Sequence, residues 1–250
     1  MLKTAVRDSG WKNFVRRVPK DSVLYYPGLK GGTTTVEDYS GNAYAGTISG
    51  ATWERQANEF WVNGFDGIDD FIQATSDFGD INFLTQAITL ECVWRWDTGT
   101  PASGGILGIS PATATNLGIQ LVSNEVGRLW LVWVRRDGDV TSRVPLLLDD
   151  TLSLNQWYHI IASYSGNGTP NSSSVDILLN GTARTFAESG QRHFWDVNNV
   201  VRIGSQALTG AGGVQEPIDG LIGLVNIRDQ TTSLEEMQDR FQHIGKLIGV

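Results

Sequence analysis

The stretch NGFDGIDDFIQAT, Asn63 to Thr75, holds three aspartates, two glycines and two phenylalanines. Asp66, Asp69 and Asp70 stand close enough to be a metal site, an acid/base pair, or the turn chemistry of a sheet protein. Adjacent residues on a strand point to opposite faces, so strand geometry separates Asp69 from Asp70 and breaks the acid/base pair. The Asp66-Gly67 and Asp69-Asp70 pairs instead flank a bend, where short carboxylates cap backbone N–H groups. The stretch therefore reads as a bend leading into the strand FIQA. A minor role near a cation stays open for Asp66 or Asp69.

Outward from this bend the chain is strand after strand. ITLECVWRW, 88–96, alternates strictly, with Leu90, Cys92, Trp94 and Trp96 on one face and Glu91, Val93 and Arg95 on the other. VLYY, AYAGTIS, ATWE, GILGIS, LGIQLVS, RLWLVWVRR, QWYHIIASYS, SVDILLNG, VVRIGS and LIGLVNIRD are of the same kind. Each is short, rich in β-branched or aromatic residues, and bounded by Gly, Asn, Asp, Ser or Pro. Evenly spaced short strands without intervening helical periodicity predict an antiparallel β-sandwich or barrel. Asn180-Gly181, between VDILL and TARTF, predicts a type I′ hairpin.

Two helices are predicted. Trp11, Phe14, Val15 and Val18 recur at helical spacing while Lys12, Asn13, Arg16 and Arg17 face away, and Pro19 ends the pattern. Two turns of helix are unstable alone in water, so this arm must dock on its own domain or on a partner. At the other end, Ser233 to Glu236 reads as a capping box with Ser233 at the N-cap. Leu234, Met237, Phe241 and Ile244 supply one apolar stripe, and Gly245 and Gly249 mark a fraying end. Residues 1–20 thus form a basic arm and 21–250 one all-β domain.

Composition excludes several roles. One cysteine, Cys92, allows no intrachain disulfide. The net charge is −8, yet the arm carries Lys3, Arg7, Lys12, Arg16, Arg17 and Lys20 against Asp8, so the body is more acidic than the total. An acidic body does not suit nucleic acid, whose phosphates need a basic surface. No run approaches the roughly 18 apolar residues of a membrane span. The N-terminus lacks the apolar core of a signal peptide, which predicts cytoplasmic synthesis. The three histidines, His159, His193 and His243, show no metal-ligand or nucleophile spacing. The N-x-S/T matches at Asn167, Asn171 and Asn180 read as turn chemistry.

Several segments in order resemble the concanavalin A-like jelly roll, specifically its laminin-G-like group. They are EDYSGNAYAGTISGATW, FDGIDDFIQA, ITLECVWRW, NQWYHIIASYS, VDILLNG and VRIGS followed by PIDGLIGLVNIRDQTTSLEEM. The resemblance runs from about Val23 to about Phe241 and implies a sandwich of two antiparallel sheets. It also implies a loop calcium, for which Asp38 and Asn42 are the matching positions. The chain departs from the family where the closing strand has Gly223 in place of an acidic residue. Glucanases of the superfamily carry E-x-D-x-x-E on one strand, which sets two carboxylates about 5 Å apart. That motif is missing here. Glu91 and Asp97 share a face but lie roughly 20 Å apart along a strand.

The resulting expectation is a non-catalytic structural or adhesion protein. By analogy with stand-alone domains of this group, it is a virion component, such as a bacteriophage capsid decoration or tail protein. The residues Trp11, Phe14, Val15, Arg16, Arg17 and Val18 would dock on a protein lattice. The alternative is a carbohydrate-binding, lectin-like module, with a glycoside hydrolase ranked last. For partner or sugar contact the loop QRHFWDVNN offers His193, Phe194, Trp195 and Asp196.

Overall fold

The computed structural model describes residues 17–56, 60–74, 86–97, 104–111, 118–123, 128–137, 140–166, 173–188, 199–205 and 217–250; of 110–151, 186–188 and 199 the backbone course alone is described. In chain order the strands are β1 (Ser22–Pro27), β2 (Thr35–Val36), β3 (Gly46–Ser49), β4 (Thr52–Arg55), β5 (Trp61–Asp66), β6 (Phe71–Ala74), β7 (Ile88–Trp96), β8 (Gly105–Pro111) and β9 (Gly118–Ser123). There follow β10 (Arg128–Asp137), β11 (Val140–Thr151), β12 (Trp157–Tyr164), β13 (Val175–Leu179), β14 (Thr182–Arg184), β15 (Phe186–Glu188), β16 (Asn199–Ile203) and β17 (Asp219–Arg228). The C-terminal helix α1 spans Leu234–Ile248.

The strands form two antiparallel sheets in a jelly-roll sandwich. The first runs β14-β13-β12-β7-β17-β5-β4, with β1 also paired to β17; the second runs β15-β11-β10-β9-β8-β16-β6-β3-β2. The long β17 organises the first sheet. Its whole length faces β7, while its opposite side takes β5 at Asp219–Ile222 and β1 at Leu224–Arg228. The alternation of β7 decides what lies where. Leu90, Cys92, Trp94 and Trp96 enter the main core between the sheets. Trp94 is fully buried and stacks on Tyr158, with ring centroids 5.3 Å apart. Glu91 and Val93 face outward, beneath α1.

Helix α1 closes that outer face. Met237 packs on Ile161 and Leu178, and Ile244 joins Tyr25, Val62, Val93, Leu221 and Leu224. Ser233 caps it, accepting from the Glu236 N–H at 3.2 Å. The capping box is half built, because the Glu236 carboxylate turns to Arg228, which donates to it at 2.6 Å. The predicted stripe also needs correction. Leu234 is exposed and Arg240 is buried in its place. Gly245 is no fraying end but a buried residue under Phe241, and the helix stops at Gly249, in the left-handed region at φ 79°.

The Asn180-Gly181 hairpin is as predicted, with both residues at positive φ, 46° and 75°. Phe241 lies directly over Gly181 and leaves no room for a side chain there. The strand β11, VTSRVPLLLDDT, was not among the strands expected from sequence, and it carries Pro145, a residue that strand interiors disfavour. Pro145 pairs with Val132 of β10 and stands just outside Leu146–Leu148, the three residues that β15 pairs.

Of the arm, Arg17 and Val18 are described, and both are exposed. Trp11, Phe14, Val15 and Arg16 lie outside the described residues, as do His193, Phe194, Trp195 and Asp196. Pro19 and Lys20 are bonded to the domain. Ser22 donates to the Pro19 carbonyl at 2.9 Å and Arg228 to the Lys20 carbonyl at 3.1 Å.

Candidate functional site

Three neighbouring strands of the first sheet bring carboxylates together at one end of the sandwich. Asp66 ends β5 directly opposite Asp219, which begins β17. Asp97 follows β7, and its N–H donates to the Asp219 carbonyl at 3.2 Å. Together with Glu54 of β4 and Asp70 they surround a pocket of about 340 Å³. Gly50, Gly64 and Gly220 also line it, and their missing Cβ atoms let Asp70, Glu54 and the Arg95 carbonyl approach the backbone closely. Like charges directly opposite on paired strands destabilise a sheet, so the Asp66–Asp219 pair is held at a cost to stability.

The turn after β5 corrects the reading of its three aspartates. Asp69 and Asp70 precede β6 rather than sitting on it, so strand alternation does not part them. One ligand oxygen from each of Asp66, Asp69 and Asp70 lies within 4.8 Å of the others. Asp66 Oδ1 accepts from the Ile68 N–H at 2.9 Å, an Asx-type turn, and Asp70 Oδ2 accepts from the Asp66 N–H at 3.0 Å. Asp70 is nearly buried against Gly50, whose positive φ of 77° and missing Cβ both serve this approach. Burial pushes the Asp70 carboxyl above its usual range. The Asp66 N–H opposes that rise, and the charges of Asp66 and Asp69 add to it.

One cation reaches the pocket wall. Arg95 grips Asp97 in a two-pronged bond, Nε to Oδ1 at 2.6 Å and Nη2 to Oδ2 at 3.0 Å. Its guanidinium lies 5.3 Å from the Trp157 ring, so a half-buried aromatic is linked through Arg95 to the pocket wall. Glu54 and Asp219 were not singled out in sequence, and Asp97 was weighed there only against Glu91, because only strand pairing makes these three neighbours.

Asp38 and Asn42 sit elsewhere, beside β1. Asp38 Oδ1 accepts from the N–H groups of Tyr25 and Ser40, both at 2.9 Å. Its Oδ2 accepts from the Ser40 hydroxyl at 2.7 Å and the Tyr44 N–H at 3.0 Å. Asn42 Nδ2 donates to the Val23 carbonyl at 3.0 Å. This is the hydrogen bonding of a closed turn, and every contact to the Asp38 oxygens comes from an N–H or O–H donor. Gly223 explains the departure from the family pattern. It lies at a register shift in β17 with the Phe60 ring against its Cα, so no carboxylate fits at this position.

A second polar cluster lies under α1. Glu91, 1% exposed, receives Arg240 on both oxygens, with Nε at 3.0 and 2.9 Å and Nη2 at 2.5 Å. His159 Nε2 approaches Glu91 Oε1 at 2.9 Å, and Asn226 Nδ2 donates to Oε2 at 3.0 Å. Burial would raise the Glu91 carboxyl, but the Arg240 guanidinium and the His159 ring outweigh it and hold it well below the usual carboxylate range. The His159 ring stacks on Phe241 with 13° between planes. The cluster is closed to solvent and ties the helix to the sheet.

Known proteins of the same shape can now be set beside this geometry. Domain 4 of an extracellular arabinanase from Geobacillus stearothermophilus, solved in complex with arabinotriose, superposes with TM-score 0.59 at 16% identity, over 88% of this chain and 97% of that domain. The Trypanosoma rangeli sialidase gives TM-score 0.61 at 11% identity, over 90% of this chain and 33% of that one. The binding domain of botulinum neurotoxin serotype D gives 0.61 at 11%, over 89% and 51%. At such identities the likeness is one of fold. No curated protein matches the sequence. The family model Laminin_G_3 matches residues 66–238, from the acidic turn through the first part of α1, and the chain therefore belongs to the concanavalin A-like lectin/glucanase superfamily.

Proposed function

We propose that this chain is a non-catalytic carbohydrate-recognition module and that the acidic pocket seats the sugar. The supporting observation is the pocket itself. Its size of about 340 Å³ lies in the range of small-molecule sites. Its carboxylates are acceptors for adjacent sugar hydroxyls, and Arg95, which grips the lining Asp97, packs over the Trp157 ring. The arabinotriose complex of the arabinanase domain supports the ligand class. What favours binding over hydrolysis is the missing E-x-D-x-x-E strand, with which glucanases of the superfamily set two carboxyls about 5 Å apart. A glycan array comparing wild type with Asp219→Asn tests this reading. Retention should fall at least ten-fold in the variant, with a melting temperature no lower than that of wild type. A blank array for the wild type overturns the proposal, and release of reducing ends from any bound glycan overturns its non-catalytic part.

A second reading is a structural role in a virion, such as capsid decoration or a phage tail, with the arm docked on a protein lattice. One observation favours it: Arg17 and Val18 are exposed where the chain leaves the domain, Val18 at 38%. Deleting residues 1–18 should then abolish assembly and leave the melting temperature unchanged. A large drop in melting temperature would place the arm in the domain's own core instead.

A further inference from the structure

We infer a second ligand site, for a single carboxylate group, at Arg202 on the outer face of the second sheet. Val201 and Ile203 enter the main core, so Arg202 between them points to the other side of β16. Ile72 and Ala74 do the same on β6 and turn Phe71 and Gln73 outward. The register places Arg202 directly opposite Gln73 on one side and Gly108 of β8 on the other. The guanidinium therefore shares its face with an amide, an aromatic ring and a glycine that adds no side chain.

Arg202 is 6% exposed, yet its charge is unmatched. Nη2 donates to Gln73 Oε1 at 2.8 Å, and the guanidinium carbon lies 5.3 Å from the centroid of the Phe71 ring. Nη1 is buried without a hydrogen-bond partner. Two other arginines are buried among the described residues, and each holds a carboxylate, Arg228 that of Glu236 and Arg240 that of Glu91. Arg202 has a neutral oxygen and a ring instead. Burial lowers the guanidinium to about 10 with no acid opposing the fall, so it keeps its charge at neutral pH.

A buried cation without a counter-charge is costly, and the face of a phenyl ring offsets only part of that cost. A bound anion completes the set, and the charge count selects which anion. One guanidinium among neutral neighbours balances one negative charge, and a carboxylate offers two oxygens to its fork of N–H donors. A phosphate dianion would bring a second buried charge with no partner. Phe71 and Gln73 are half-buried, and Thr47, directly opposite Gln73 on β3, is exposed. That flank is the approach for a small anion, and the Phe71 ring there gives apolar contact to the carbon that bears the carboxylate.

The inference does not rest on the acidic pocket, because it uses other residues and a ligand of opposite charge preference. Thermal melting of the full chain in acetate, glucuronate, phosphate or chloride at matched ionic strength tests it. Each shift relative to chloride is read as wild type minus Arg202→Met, which cancels general salt effects. Acetate and glucuronate should give a difference of about 2 °C or more at saturation, and phosphate none. A difference with glucuronate alone supports the site and narrows its ligand to sugar acids. In chloride Arg202→Met should melt no lower than wild type, because an unmatched charge is gone, and Asp219→Asn should keep the wild-type shifts. No difference with either carboxylate overturns the inference, as does an equal difference with phosphate. A Met variant that melts well below wild type in chloride, or does not fold, also overturns it, since the guanidinium would then serve the fold itself.

Discussion

A single buried carboxylate and a cluster of carboxylates share one face of the first sheet, and their surroundings could hardly differ more. Glu91, midway along β7, is covered by α1 and meets a guanidinium, an imidazole and a carboxamide. Asp97, six positions further along the chain, opens the region where Asp66, Asp70 and Asp219 gather around a pocket with Arg95 as the cation gripped there. Where the helix seals the sheet, charge is matched atom by atom. Where the sheet ends open, negative charge accumulates. Structural polar clusters complete themselves, and an incomplete one facing solvent is the better place to look for a ligand.

The largest effect should come from breaking the completed cluster. Arg240→Ala leaves Glu91 charged and buried without its main partner, and should destabilise the fold by about 3–5 kcal/mol. Urea denaturation measures it. The double variant Glu91→Leu/Arg240→Met should recover most of that loss, because two buried charges then vanish together. A single variant as stable as wild type would show that α1 does not depend on this pair. The pair also governs the acid limb. Since the folded Glu91 carboxyl sits below its unfolded value, its contribution is present above about pH 4.5 and is lost as pH falls towards the folded value.

The contrast between the two ends also separates what was legible in the sequence from what was not. Alternation along ITLECVWRW placed Leu90, Cys92, Trp94 and Trp96 in the core, and Asn180-Gly181 set its own turn, because both signals are local. Glu91 and Arg240 stand 149 positions apart, and no local pattern joins them. The helical stripe misled for that reason: Arg240 looks like a solvent residue until the acid beneath it is known. In FDGIDDF the turn was read correctly, but strand alternation was extended two residues too early, which parted three aspartates that converge. Glu54 and Asp219 carried no signal at all, since the register of β4, β5 and β17 is what makes them neighbours.

The smallest effect sharpens the comparison most, because its sign is opposite at the two ends. The folded Asp70 carboxyl sits above its unfolded value, so the native state binds its proton more tightly. Its contribution is present below about pH 3.9, the ordinary aspartate value, and is lost as pH rises through the folded value. At neutral pH the charged form is a liability that the fold tolerates. Asp70→Asn removes the charge and keeps an oxygen for the Asp66 N–H. Stability at pH 7 should therefore rise, by no more than about 0.5 kcal/mol, and the gain should vanish near pH 3. Melting curves of both proteins from pH 3 to pH 7 test this. Parallel curves would mean that Asp70 titrates as an ordinary surface acid. A loss of stability at pH 7 would mean that the charge itself holds the turn, and that this end of the sheet is as complete as the end beneath α1.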